Sequence, residues 1–247
     1  MCKGFNALSP RETSAGLNSL ACSVAMSHAP RLSATEIHIV PGLRLANNPR
    51  DPRWRPERQF TATTLPRDCR RWLLDDSSLT ARLVALNAGA FSVRRLYQGW
   101  QVPLPSEQRL LQIPPRQRAL VREVVLQLDG RPVVFARSLF PVSSLAGELA
   151  HLRRLQNRSL GAILFRYPNM RRSPFELTRI TGNSTYLAPV VRQAEDAWAR
   201  RSCFELGGKR LLVSEVFLEG FRPWEGLLAV HRSRRGKVNA AIRSTNH

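Results

Sequence analysis

The chain has 247 residues, 43% of them apolar, and four scattered cysteines, Cys2, Cys22, Cys69 and Cys203. That composition supports a packed core and argues against a disulfide framework or a cysteine-rich zinc site. The formal net charge of +20 comes without zinc-finger spacing or an RNP-like aromatic motif, so the excess arginine reads as a diffuse surface for small anions rather than a specific nucleic-acid interface.

The five histidines show no ligand spacing, so no metal is expected. No run approaches the roughly 20 apolar residues of a membrane span. "LNSLACSVAM", Leu17 to Met26, is short and broken by Asn18, Ser19 and Ser23, and residues 1–34 read as non-signal. With reduced thiols, this points to a cytoplasmic protein.

Along the chain, residues 1–60 are rich in Ser, Asn, Pro and Arg, with weak periodicity, and read as a poorly structured extension. Its end, "NNPRDPRWRPER", is a loop or linker by its prolines, and Met26 is a possible second start. Residues 61–231 form the folded domain. In "LPRDCRRWLLDDSSLTARLVAL", Trp72, Leu73, Leu79, Leu83 and Leu86 have helical spacing, interrupted by Asp75 to Ser78. Ser77 or Ser78 can cap a second helix beginning at Leu79. "AFSVRRLYQGWQVP" reads as a strand, and "SEQRLLQIP" as a short connector.

"ALVREVVLQLDGRPVVFARSLFP" is a hairpin: two β-rich runs joined around Asp129 and Gly130. "LAGELAHLRRL" is helical, and "NRSLGAILF" is a loop entering a short apolar segment. A strand to about Phe204, a turn at Gly207-Gly208-Lys209 and the strand "RLLVSEVFL" follow. Strands arriving as hairpins with helices between them predict an α+β fold: one antiparallel sheet with helices packed against it. Residues 232–247 hold five bases and no acid, the composition of a basic disordered tail.

Two charges stand on apolar faces. In a strand, alternate side chains share a face, so Glu215 lies with Leu211, Val213 and Phe217, and Arg122 with Val124, Leu126 and Leu128. Arg137 lies similarly with Val133, Phe135 and Leu139. One reading is a structural ion pair, Arg122–Glu215 or Arg137–Glu215. The other is a ligand site, because a buried pair is often no more stable than an apolar replacement. An enclosed guanidinium can grip a carboxylate through two parallel hydrogen bonds. Arg200 and Arg201, in "WARRSCFEL", have an anionic-site look but read more readily as solvated bases beside a strand. Ser143 and Ser144 read as a cap or loop, with no His/Asp partners for a nucleophile.

"WLLDDSSLTARL", "VREVVLQLDGRPVVFARSLFPVSSL", "NRSLGAILF", "WARRSCFEL" and "GKRLLVSEVFL" occur in an order and at separations that resemble the chorismate lyase family of ubiquinone biosynthesis. The resemblance spans Trp72 to Leu218. It implies helical flaps over a buried ligand pocket, and elimination of pyruvate from chorismate to leave 4-hydroxybenzoate, without cofactor or metal; a monomer is expected. It places the ring carboxylate on Arg122 and the oxygen-bearing end of the ring on Glu215. Leu79 and Leu160 would line the pocket from the flaps and offer backbone amides. On periodicity alone, both leucines are ordinary core residues. Arg137 is a weaker candidate for the second carboxylate of chorismate. The rival of another class is a non-catalytic sensor of aromatic carboxylates with a similar fold, although residues 1–60 do not read as a helix-turn-helix.

Overall fold

The structure is a computed structural model that describes residues 49–61 and 63–222. The expectations for Met26 and for the basic tail 232–247 lie outside the described residues, as does the extension up to residue 48.

The hairpin is the centre of the fold. Strand β3 (Ala119–Leu128) pairs antiparallel with β4 (Arg131–Pro141), and the two turn residues both have positive φ, 49° at Asp129 and 73° at Gly130. A two-residue turn of this hand matches the twist of the flanking strands and favours an Asp-Gly pair. Around the hairpin lie β1 (Arg55–Pro56), β2 (Phe91–Gln101), β6 (Glu176–Ile180), β7 (Ala197–Leu206) and β8 (Lys209–Phe217), in the order β1-β6-β7-β8-β4-β3-β2. The short β5 (Arg171–Arg172) pairs with the far end of β7, completing an eight-stranded, wholly antiparallel sheet. Ordered backbone thus begins upstream of residue 61: Arg55 and Pro56 pair with Leu177 and Glu176.

Nearly every residue of β3 is buried, so the hairpin has no solvated face. On the first face, α1 (Arg67–Leu73) and α2 (Leu79–Ala85) bring Trp72, Leu73 and Leu83 onto Val124, Val134 and Phe217. As expected, the two helices break at Asp75 to Ser78, and the Ser78 hydroxyl caps α2 by accepting from the Ala81 N–H at 3.3 Å. A second cluster on this face gathers Leu149 and Leu152 with Ile163 and Leu164 of α4 (Leu160–Leu164) against Phe140, Phe204 and Leu211. "LAGELAHLRRL" forms a 3-10 helix over Gly147–Arg154.

On the second face, Val125, Phe135 and Val216 pack with Tyr186 and Leu187. The predicted connector "SEQRLLQIP" is instead part of a helix, α3 (Pro105–Leu111). Proline is favoured at its first position, where no N–H is needed. The Glu107 carboxylate accepts from the Leu104 N–H at 2.8 Å, satisfying one of the donors a helix start leaves open.

Candidate active site

Register fixes where the polar side chains rise from the first face. Arg122 of β3 stands opposite Ser138 of β4, which faces Val213 of β8, which faces Ser202 of β7. Two residues along the strands, the row reads Val124, Ala136, Glu215, Arg200. Arg122 and Glu215 therefore share one face, two strands apart. They line the same cavity of about 40 Å³, closed from above by Leu79, Ser159 and Leu160.

Two flaps form that roof. Leu79 opens α2 and Leu160 opens α4, and both are buried. Each helix is capped by the serine just before it: Ser159 accepts from the Ala162 N–H at 3.4 Å, as Ser78 does from Ala81. A serine cap takes the amide near the third helical position and leaves the first amides outside the intrahelical ladder. At Leu79 and Leu160 those amides belong to residues lining the cavity. The flaps meet through a 2.7 Å hydrogen bond between the Thr80 and Ser159 hydroxyls. Glycine at 161 allows this approach, since a Cβ there would lie 3.3 Å from Ser78 Oγ.

Arg122 is 1% exposed. Its Nη2 donates to the carbonyls of Gln156 and Arg158 at 2.8 and 2.7 Å, and its buried Nε donates to nothing. It has no carboxylate partner. Burial, followed by the nearby Arg95 charge, lowers its pKa to about 10, so at neutral pH it is a buried cation without a counter-ion. Such a group is costly unless an anion meets it.

Glu215 is held differently. Its Oε2 accepts from Arg200 Nε at 2.6 Å. Arg200 in turn donates through Nη1 to the Trp72 and Asp75 carbonyls at 2.6 and 2.7 Å. Glu215 thus keeps a fixed geometry and 14% side-chain exposure. The neighbouring flap is braced by Asp75, which pairs with Arg82 at 2.7 Å and accepts from the Ser77 backbone and hydroxyl.

Neither ion pair considered from sequence forms. Arg122 and Glu215 share a cavity but are not paired, and Arg137 lies on the opposite face. There Arg137 donates to Glu107 at 2.8 and 3.2 Å and to Glu123 at 2.8 Å. Those carboxylates raise its pKa against the effect of burial, so Arg137 is a structural cation and not a second carboxylate anchor. The expectation that Arg200 and Arg201 are solvated also fails. They are 1% and 4% exposed, with Arg201 on the second face paired to Glu176 at 2.7 Å and stacked over Trp54. Sequence reasoning missed Arg200 as the partner of Glu215. The available signal was two consecutive arginines in a strand, which must point to opposite faces. Among the described residues, no cluster of three or more His, Cys, Asp or Glu side chains could hold a metal, and no helix is long and apolar enough to cross a membrane.

An open antiparallel sheet that buries an unpaired guanidinium and a fixed carboxylate beneath two short helices is an α+β domain with a small closed cavity on one face. The chain belongs to the chorismate lyase family, whose match covers residues 49–225, and is by that membership a lyase. A relative from Azoarcus sp. (strain BH72), named "Probable chorismate pyruvate-lyase", is 44% identical over 163 residues, covering 63% of this chain and 86% of the relative. One of the same name from Pseudomonas aeruginosa (strain UCBPP-PA14) is 42% identical, covering 64% and 88%. Among solved structures, the PhnF C-terminal domain is similar at 10% identity and a TM-score of 0.45, over 59% of this chain and 90% of that one.

Proposed function

We propose that the protein eliminates pyruvate from chorismate and releases 4-hydroxybenzoate for ubiquinone biosynthesis, acting as a cytoplasmic monomer. The observation that carries this reading is Arg122, a buried guanidinium that faces a cavity and has no acid. A ring carboxylate supplies the missing anion and can take the unused Nε as a donor.

With its carboxylate on Arg122, the ring points its far end at Glu215. Chorismate carries a hydroxyl at that end and the enolpyruvyl ether on the adjacent carbon. In the reaction, a proton leaves the hydroxyl-bearing carbon and its electron pair completes the aromatic ring. The ether C–O bond breaks, enolpyruvate departs with the two electrons of that C–O bond, and it is protonated at its methylene carbon to give pyruvate. Because aromatisation drives the step, the protein's task is to orient the ring and handle the proton. Fixed orientation can contribute several kcal/mol, and proton transfer to a positioned group about 10²–10⁴-fold. Glu215 is the acid–base group of this proposal, held in position by Arg200. Leu79 and Leu160 bring backbone amides to the cavity and exclude water. Entry and exit require the flaps to part at Thr80 and Ser159.

The test is to incubate the purified protein with chorismate and follow 4-hydroxybenzoate by absorbance and pyruvate by a coupled dehydrogenase. Equimolar formation of both, far above the spontaneous rate, is expected. Absence of both products removes the proposal.

A further inference from the structure

Six arginines are buried among the described residues: Arg82, Arg122, Arg137, Arg172, Arg200 and Arg201. Four of them meet a carboxylate. Arg82 pairs with Asp75, Arg137 with Glu107 and Glu123, Arg200 with Glu215, and Arg201 with Glu176. Arg122 and Arg172 do not. Both lie on the first face of the sheet, and the substrate of the proposed reaction carries two carboxylates.

Arg172 is held without a salt bridge to an acid. Its Nε donates to Ser202 Oγ at 2.8 Å and its Nη1 to the Asp76 carbonyl at 3.1 Å. Its guanidinium lies 4.3 Å from the ring centre of Phe175 and 4.8 Å from that of Phe204. Stacking and two neutral acceptors position the group, with no carboxylate in direct contact. Both of these hydrogen bonds go to neutral oxygens, a hydroxyl and a carbonyl. Burial, and then the Arg200 charge, lower the Arg172 pKa to about 9 against the opposing influence of Glu215, Asp76 and Asp75, so it too is a cation at neutral pH.

Its place along the sheet gives the second half of the argument. Ser202, which holds Arg172, faces Val213 across the β7–β8 register, and Val213 and Phe204 both line the cavity. Arg172 lies beside these lining residues rather than on the cavity wall, and along the sheet the two cations stand on either side of the carboxylate. Arg122 rises from β3, Glu215 from β8, and the Arg172 guanidinium reaches over β7 from β5. The strand spacing is about 4.8 Å, so β7 lies roughly 14 Å from β3, across β4 and β8. In chorismate the enolpyruvyl ether leaves the carbon beside the one facing Glu215. Its carboxylate then extends past Glu215, away from Arg122.

We propose that Arg172 binds the enolpyruvyl carboxylate, the group that departs with pyruvate, while Arg122 binds the ring carboxylate. This rests on the chorismate lyase reading. Arg172 is then a substrate-selective anchor: it holds the dianionic substrate and the leaving group, and is left free by the monoanionic product. Arg122 serves both.

The experiment compares wild type with Arg172→Met, which keeps an apolar stem between Phe175 and Phe204, and with Arg172→Lys, which keeps the charge without the planar fork. Chorismate kcat/KM, 4-hydroxybenzoate affinity and melting temperature are measured for each. A non-reacting aromatic dianion, 3-(1-carboxyvinyloxy)-4-hydroxybenzoate, is titrated alongside. Arg172→Met should lower kcat/KM at least 30-fold and weaken the dianion similarly, while 4-hydroxybenzoate binds within about threefold of wild type. Arg172→Lys should recover part of both losses. A variant with unchanged kcat/KM and dianion affinity overturns the proposal while leaving the lyase reading intact. So does one that loses 4-hydroxybenzoate binding as severely as the dianion, or that fails to fold while wild type binds the dianion no more tightly than 4-hydroxybenzoate. Wild-type protein with no turnover of chorismate overturns both.

Discussion

Replacing Arg122 by methionine should damage binding far more than it damages the fold. In the ligand-free protein the guanidinium is a burden, because its pKa falls to about 10 from 12.5. At about 1.4 kcal/mol per tenfold change, the buried cation destabilises the fold by roughly 3 kcal/mol. The sign follows from linkage. A base whose folded pKa is lowered costs stability at every pH below about 10, and the cost fades as pH rises from there toward 12.5. Methionine removes that cost and also the two bonds to Gln156 and Arg158, each about 1.5–3 kcal/mol for a charged donor. The net loss is then between about zero and 3 kcal/mol. At about 2–4 °C per kcal/mol for a domain of this size, the melting temperature should fall by no more than about 12 °C. Binding has no such offset. Losing a buried charge partner costs about 2–5 kcal/mol, a weakening of 4-hydroxybenzoate by about 30-fold or more. Thermal shift reads both effects together. At 100 times the wild-type Kd, ligand stabilises wild type by about 2.7 kcal/mol, whereas a variant 30-fold weaker gains only about 0.9 kcal/mol. A folded Arg122→Met protein that binds 4-hydroxybenzoate within threefold of wild type, by calorimetry and by thermal shift, would refute the reasoning.

Three further outcomes follow from the same contacts. Glu215→Gln keeps the shape but cannot exchange a proton, so kcat should fall about 10²–10⁴-fold while product affinity changes less than tenfold; equal losses in both would make Glu215 a binding group only. Thr80→Val removes the hydroxyl bridge between the flaps and leaves the Ser159 cap intact. At about 0.5–1.5 kcal/mol per bond it should speed product release up to about tenfold in stopped-flow measurements, and an unchanged release rate would show that the bridge does not hold the flaps. Glu107→Gln strips one acid from Arg137, so it should cost about 3–5 kcal/mol in denaturant unfolding and leave kcat of the folded protein intact; a selective loss of activity would return Arg137 to the site.

The parts legible in the sequence were those fixed by local chemistry. Asp129 and Gly130 set the central hairpin because few other pairs accept positive φ at both turn positions. Ser78 marked the start of α2 because a cap is a property of one residue and the amides just after it. The α3 segment was missed for a related reason: seven residues carry too little periodicity to mark a helix, and its start is secured by Pro105 and by Glu107, whose second task is to hold Arg137 across the second face. Burial of both faces of β3 was also hidden, since its pattern shows only that Arg122 and Glu123 must part to opposite sides.

Pairing of charges is a non-local property, and there the sequence reading chose the wrong partners. Glu215 could be assigned to a face but not to a neighbour, because its neighbours depend on which strands flank β8. The sheet order places β8 between β4 and β7. Its row partners are therefore Ala136 and Arg200, and Arg122 is kept a further strand away. That separation leaves Arg122 unpaired. Moving Glu215 next to Arg122 would neutralise both and close the cavity. The displaced pairing, Arg200 with Glu215 and none with Arg122 or Arg172, is stable only because Arg200 is saturated by carbonyls from the flap and the two remaining cations are anchored to neutral acceptors. The unpaired position of Arg122 on this face is therefore a consequence of topology.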